Sequence, residues 1–597
     1  MNRRSLLKAL AVATILPTAV TVSSAMQPVA RRERLRPGSA KWPTRAQWNE
    51  LSVEVGGRLK KIEPPFANCR AANSRSDLLK TLRNPYYINA TPNLTQVSGW
   101  TDAWRSEPSV YAVVATSAED VAAAVTFANK HDLRIVVRGG AHSYQGTSNA
   151  ADSLMIWTRA MDEVSVNDDG TVACGAGCIW WRVYNEVTTK HSRYVQGGGC
   201  ATVGVAGLIS SGGFGSFSKR YGSAAGSLVE AEVVTADGRI RTANSVENTD
   251  LFWALKGGGG GTFGVITKLT LKTHALPQFF GIAQCSIKAS SESAYRRLVD
   301  RFMMLYAEQL HNEHWGEQVQ FTRHNQLNVS MECAGLTQAE IGDIWNPFFG
   351  WVADSPNDYT MAAKPRLAAV PAERYWDANF LAANAPEAIV ADRRTGARPG
   401  DAWWSGDSEQ VGAFICNYRS LWVPKALLDP KNRPRLVDAI LAASRKWSFS
   451  FHFNKGLSGA PDDAIARSRD TAMNPAVLDA FALMITASML ENAYPGFPGH
   501  EPDLRDARDQ AAAIQASYAA LRAIAPAGGA YVSEASYFDE DWQQKYWGEH
   551  YARLAEIKTK YDPNSLFIVH HGVGSEAWSR DGFRFIGSAV RSVARLH

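Results

Sequence analysis

Three glycine-rich loops, each following directly on a helix-like or strand-like segment, constrain this chain more than any other feature. The longest is VQGGGCATVGVAGLISSGGFG, Val195–Gly215, in which eight of 21 residues are glycine. Such a backbone can take positive φ angles or lie against something flat. The alternation of Val203, Val205 and Leu208 says that this loop packs, and Cys200 is a lone nucleophilic sulfur within it. The second loop is RGGAHS, residues 138–143, at the end of the apolar strand LRIVV. Its consecutive N–H groups suit a pyrophosphate, with Arg138 adding charge. The third is the run of five glycines at 257–261, between NTDLFWALK and a strand alternating through Val265, Thr267, Leu269 and Leu271. Together they predict a large, flat, phosphate-bearing ligand. No G-x-G-x-x-G opens a helix with an acidic residue about 20 positions on, and no G-x-x-x-x-G-K-[ST] is present, so Rossmann and P-loop sites are disfavoured.

At 597 residues the chain exceeds one compact core, and two or three domains are expected. Hydrophobic content of 45% and charged content of 20% are those of an ordinary globular protein. No stretch reads as a mature membrane span. Residues 1–25 read as a signal peptide, with Arg3 and Arg4 ahead of a short apolar run and small residues Ser23 and Ala25 at the cleavage spacing. The paired arginines match the twin-arginine address, so a bacterial periplasmic or secreted location is expected. An ordinary secretory signal is the alternative. Residues 1–36 carry a net +6 of the overall +5, leaving about −1 for the rest, which recommends neither nucleic acid nor an anionic membrane surface.

Seven cysteines make an odd number for an exported chain, so one thiol is free or committed to something else. Cys174 and Cys178 lack the second pair or histidines that zinc needs, and no metal is expected. If Cys200 is committed, six remain for disulfides whose pairing stays open.

Residues 40–106 look irregular. SAEDVAAAVTFANKHD predicts a helix capped by Ser117, and LRIVVR a buried strand, an α/β signature. CGAGCIWWRVYNEVTTKHS predicts a second helix and RYVQ a short strand. VEAEVVTADGRIRTAN predicts a hairpin turning at Asp237-Gly238. From about 278 to 525 strands such as EQVQFTRHNQLNVSMEC alternate with amphipathic helices such as 506–524, an antiparallel sheet backed by helices. A helix over 543–560 is stopped by YDPN, with Pro563 as breaker.

RGGAHSYQGTS, the QGGGCATVGVAGLISSGGFGSFSKRYGSAAGSLVEAEVVTADG run, DLFWALKGGGGGTFGVITKLTL and EHYARLAEIKTKYDPNSLF together resemble the berberine-bridge-enzyme-like oxidases of the vanillyl-alcohol oxidase superfamily. The resemblance is dense over residues 70–277 and clear over 529–578. It implies an α+β, two-domain vanillyl-alcohol-oxidase-type fold. An FAD-binding domain would span 40–277, with a PCMH-type core at about 107–277. A substrate domain with an antiparallel sheet covered by helices would span 278–528, and a C-terminal segment, 529–597, would return to the FAD domain. It further implies FAD bound covalently through His142, at the 8α position, and Cys200, at C6. By position the cofactor would lie along Arg138, Gly139, Gly140, Ala141, Ser143 and Gly146. It would continue along Gly199, Thr202, Val203, Gly204, Gly207, Gly212 and Gly213, then Gly261, Gly264 and Val265, with Asn564 beyond the C-terminal helix. A thiolate is the natural nucleophile for an electron-poor ring, which explains a cysteine in a glycine loop.

Val203 stands at the position that the family associates with oxygen access. Two departures matter. Leu208 replaces a histidine of many plant members, and Phe214 replaces a tyrosine used in proton handling, so the base must come from elsewhere. Tyr531 and Glu534 of YVSEASYF, loosely matching a strand that faces the flavin, are candidates, as are Tyr144 and the pair His570-His571. Adjacent histidines on a strand would point to opposite faces. Trp403, Trp404, Trp422, Tyr531 and Tyr537 offer aromatic surface for a sugar or aromatic alcohol.

The resemblance implies oxidation of a hydroxyl-bearing small molecule, with hydride passing to flavin N5 and O2 reduced to H2O2. A dehydrogenase of the same fold with a non-oxygen acceptor, and a redox-neutral or ligand-binding flavoprotein, are the alternatives. Substrate identity and oligomeric state stay open.

Overall fold

The computed structural model describes residues 33–66 and 72–587. Its first layer is a four-stranded sheet in the order Leu59–Lys61, Tyr111–Val114, Leu154–Trp157, Ile135–Arg138. The last three strands run parallel. Parallel neighbours need a crossover, and the helix Ala118–Lys130 supplies one. That helix starts where expected, because Ser117 Oγ accepts the N–H of Asp120. Val121, Val125 and Ala128 are buried on its apolar face.

A six-stranded antiparallel sheet follows, built around Val265–Ala275. It contains the predicted hairpin, Leu228–Val234 and Ile240–Asn244, with Gly238 at φ 77°. The short strand Arg193–Val195 pairs with Val265–Ala275 as well, so the longest glycine loop, Val195–Gly215, starts from a fixed edge. The segment after Cys178 is helical as expected, α over Trp180–Tyr184 and π over Asn185–Lys190, whereas Cys174 and Gly175 still belong to the strand Thr171–Gly175.

The third sheet has nine strands, Phe279–Ala289 and Ala480–Leu490 among them. The hairpin Trp315–Phe321 and Gln326–Ala334 is antiparallel in register Val319↔Val329. Along Gln326–Ala334 the side chains split cleanly. Leu327, Val329, Met331 and Cys333 are buried in one core with the helices Glu292–Leu305, Gln338–Ala353 and Arg433–Lys446. Ser330 and Glu332 alternate with them, as period-two geometry requires, and line a cavity on the other face. The strand Val97–Trp100 joins this sheet in parallel with Ala413–Pro424. Thus 40–106 is more regular than expected, since it also holds the helices Arg45–Glu54 and Pro85–Asn89. The latter is only five residues, begins at proline and is capped by Asn84, so its periodicity was too short to read.

The helix expected over 543–560 is broken. Trp542–Trp547 and Tyr551–Tyr561 are separated by a 3₁₀ turn at Gly548–His550, with Gly548 at φ 55°. The six described cysteines are all free thiols, and Cys69 lies outside the described residues. Among the described residues no helix is long and apolar enough to cross a membrane.

Candidate active site

The three glycine loops converge on one cavity of about 570 Å³. Their meeting is backbone against backbone. A Cβ on Gly140 would stand 2.6 Å from the nitrogen of Gly204, and one on Gly204 would stand 2.8 Å from the nitrogen of Gly140. Only glycine at both positions allows that approach. Gly139, Gly140, Ala141, His142, Ser143, Gly199, Cys200, Val203, Gly204, Gly207, Gly261 and Gly264 line the cavity, as do Tyr144, Tyr531 and Glu534. A Cβ on Gly207 would meet nothing within 4 Å, and one on Gly260 nothing closer than 3.9 Å, so both loops leave room for an extended flat group. The residues present fit FAD.

Seven expected contacts lie outside the lining. Arg138 is turned away from it: its guanidinium donates to the carbonyls of Ile88 and Thr91, both at 2.9 Å, and to Asn149 Oδ1. Burial pulls its pKa down to about 9. Gly146 faces the ring of Trp104, Gly212 and Gly213 form a positive-φ turn, and Val265 is buried in its strand. Asn564 follows the C-terminal helix. Thr202 has a different role. Its Oγ1 is 3.0 Å from His142 Nε2, and it also hydrogen-bonds Cys200, linking the two expected attachment residues. Its carbonyl accepts from Asn89.

Burial lowers the His142 pKa to about 3, so the imidazole is neutral. The Cys200 thiol differs from expectation. Burial, then the charge of Asp407, raises its pKa well above the ordinary thiol range, so the resting sulfur is protonated. Asp407 accepts the N–H of Ala201 at 3.0 Å and a hydrogen bond from Cys200. Burial pushes its own pKa from 3.8 up to about 6. The folded state therefore holds this proton more tightly than the unfolded chain, and stability is expected to fall as pH rises from about 4 to about 6. Melting temperatures of wild type and Asp407→Asn across that range check this: the variant should have the flatter profile.

Of the candidate bases, Tyr531 accepts the N–H of Gly213 through its hydroxyl, and burial raises its pKa. Tyr144 donates to Gln410 at 2.8 Å, and burial raises its pKa too. Neither is a ready base. Glu534 pairs with Lys455 at 2.6 Å inside the cavity. It sits on a single 3₁₀ turn, Val532–Glu534, not on the expected strand. His570 and His571 share a turn with His571 at φ 53°, and their rings stack 3.8 Å apart instead of pointing to opposite faces. Phe214 packs edge-on against Tyr531. Of the expected aromatic surface, Trp404 and Tyr531 line the cavity, whereas Trp403, Trp422 and Tyr537 are core.

Sequence reasoning missed Asp407, Glu317, Glu332, Lys455 and Asn454, all lining residues from the middle of the chain. Glu317 accepts from Ser216 Oγ at 2.7 Å and Asn454 Nδ2 at 3.3 Å. Its place two residues before the buried Val319 was the available signal.

A family model described as "FAD binding domain" matches residues 109–244, and another described as "Berberine and berberine like" matches 529–574. A VAO-type flavoprotein oxidase of Thermothelomyces thermophilus is 29% identical over 92% of this chain and 94% of its own length. The crystal structure of a VAO-type flavoprotein from Myceliophthora thermophila C1 superposes with TM-score 0.75 at 25% identity, covering 93% of this chain and 100% of that one. The chain is an FAD-dependent oxidoreductase that resembles the berberine-like and VAO-type flavoproteins. Its two-domain α+β architecture is the vanillyl-alcohol-oxidase-type fold. A glucooligosaccharide oxidase from Acremonium strictum, 21% identical with TM-score 0.60 over 78% of this chain and 92% of that one, shares the fold. That protein's FAD is described as 6-S-cysteinyl, 8α-N1-histidyl.

The bacterial, twin-arginine-exported location is corrected by the same comparisons. Relatives that match over more than nine-tenths of the chain come from Gibberella zeae, Thermothelomyces thermophilus and Aspergillus versicolor, which points to a eukaryotic, fungal protein. A basic pair ahead of a short apolar run is a composition, not a folded geometry, and residues 1–32 lie outside the described residues.

Proposed function

We propose that this berberine-like oxidoreductase holds FAD through bonds to His142 and Cys200 and oxidises a hydroxyl-bearing small molecule with O2 as electron acceptor. The observation that carries the reading is the Thr202 link. His142 and Cys200 face one cavity, and His142 Nε2 is engaged by Thr202 Oγ1, leaving Nδ1 of a neutral imidazole for a covalent bond. Asp407, hydrogen-bonded to Cys200, is placed to take the thiol proton when the sulfur becomes bonded. The doubly attached flavin of the Acremonium oxidase supports the same assignment.

FAD, when bound, supplies the two-electron acceptor to which substrate hydride passes. The protein's part is positioning and proton transfer. Glu534, held by Lys455, takes the substrate O–H proton. Val203 lines the cavity as the small apolar residue that leaves oxygen a path.

Intact mass and visible spectrum of acid-denatured protein test the attachment. FAD is expected to stay on wild type, His142→Ala and Cys200→Ala, and to leave only the double variant. Loss of colour from denatured wild type would overturn the covalent reading.

A further inference from the structure

The charge of the cavity lining is one-sided. Glu317, Glu332, Asp407 and Glu534 line it, against a single ammonium, Lys455, among the described residues. Glu534 takes that ammonium, and Asp407 is occupied by Ala201 and Cys200. Among the described residues neither Glu317 nor Glu332 forms an ion pair, and only the Lys455 charge reaches Glu317. They sit on neighbouring strands paired at Gly316↔Glu332 and Glu317↔Met331. Two acceptor atoms there are buried with no hydrogen-bond partner, Glu332 Oε2 and Asn454 Oδ1. The Asn454 residue is 2% exposed. Native proteins rarely leave such atoms unpaired, so a ligand that brings N–H or O–H donors belongs there.

The walls narrow the choice. Trp376 and Tyr184 stack at 4.2 Å, Tyr375 stands edge-on to Trp376 at 4.9 Å, and Trp404 closes on Tyr375 at 5.7 Å. All four line the cavity. Aromatic faces beside carboxylates are the surroundings that a cation prefers. Burial raises the pKa of Glu317, and burial followed by the Glu317 charge raises that of Glu332 to about 7, so a neutral sugar leaves this pair holding a proton, whereas an ammonium between them lets both ionise. The pocket also adjoins the attachment loop, because a Cβ on Gly199 would stand 3.7 Å from Glu317 Oε1. Glu317 itself is held at φ 65° within its strand, a conformation rare for glutamate that concentrates at functional sites.

We propose that Glu317, Glu332 and Asn454, walled by these rings, recognise a protonated amine, so that the oxidised molecule carries an ammonium group beside its reacting hydroxyl. This rests on the reading of the cavity as the meeting place of substrate and FAD.

Calorimetric titration of the FAD-loaded protein with tyramine and with tyrosol tests it, since the two differ in an ammonium for a hydroxyl. Tyramine is expected to bind at least about 10-fold more tightly. Glu317→Gln and Glu332→Gln should each erase that preference while leaving tyrosol affinity within about twofold. The wild-type comparison needs no variant, so a misfolded substitution does not decide the matter. Equal binding of the two, no tyramine binding, or binding of cellobiose in preference to tyramine overturns the proposal. The readout is also independent of turnover. Tyramine selectivity in a protein whose flavin no alcohol bleaches anaerobically would sink hydroxyl oxidation and leave the recognition of an ammonium by Glu317, Glu332 and Asn454 standing. Bleaching by neutral alcohols with no preference for the cation would do the reverse.

Discussion

Glu534→Gln is expected to slow flavin reduction by about 100- to 10,000-fold, the usual contribution of a positioned general base. The Tyr531 hydroxyl already accepts the N–H of Gly213, and the Tyr144 hydroxyl is committed to Gln410. Burial raises both pKa values, so neither gives up a proton to become a phenolate base. His452 is half-buried and kept neutral, first by desolvation and then by Lys455. Of the lining carboxylates, Asp407 accepts the N–H of Ala201 and Glu317 accepts from Ser216, whereas Glu534 stands beside Tyr531 with its carboxylate oriented by Lys455 at 2.6 Å. Glutamine keeps the shape and removes the basicity. Stopped-flow reduction under anaerobic conditions measures the step directly, and the intact mass should show FAD retained. A variant reduced as fast as wild type would move the base to another residue.

Asp562→Asn is expected to destabilise the fold by about 3–5 kcal/mol, the cost of breaking a buried ion pair by changing one partner. Lys558 is 4% exposed and Asp562 1%. The Lys558 ammonium donates to Asp562 Oδ2 and to the carbonyls of Thr262 and Phe567, each at 2.6 Å. Asp562 also accepts the N–H groups of Leu566 and Phe567. One buried ammonium therefore ties the third glycine loop to the C-terminal segment. Desolvation lowers the Lys558 pKa and the Asp562 charge opposes that fall, so removing the carboxylate leaves an ammonium it costs a great deal to keep buried. The urea midpoint followed by flavin fluorescence should drop. An unchanged midpoint would mean that the two carbonyl contacts suffice.

Which parts of this were legible in one dimension follows from the range of the physics. Ser117, Asp237-Gly238 and the five glycines act on their immediate neighbours, and the helix, hairpin and loop they announced are present. The break at Gly548 was missed because the helical period continues across it, and only the left-handed φ interrupts the hydrogen bonding. Arg138 read as a phosphate ligand because its neighbours are glycines. Its actual partners, Ile88 and Thr91, come from a segment that looked irregular.

The sequence by itself marked three glycine loops as close-approach backbone, because only glycine tolerates it, and its family resemblance singled out His142 and Cys200 within two of them. Tertiary structure alone decided what the middle of the chain contributes. Glu332 belongs to a strand whose polar alternation, Gln326, Asn328, Ser330 and Glu332, reads in sequence as a face turned to water. Folding lays the cavity against Ser330 and Glu332 instead. A carboxylate's role depends on what faces it, and pairing over long separations sets that, where no local pattern can.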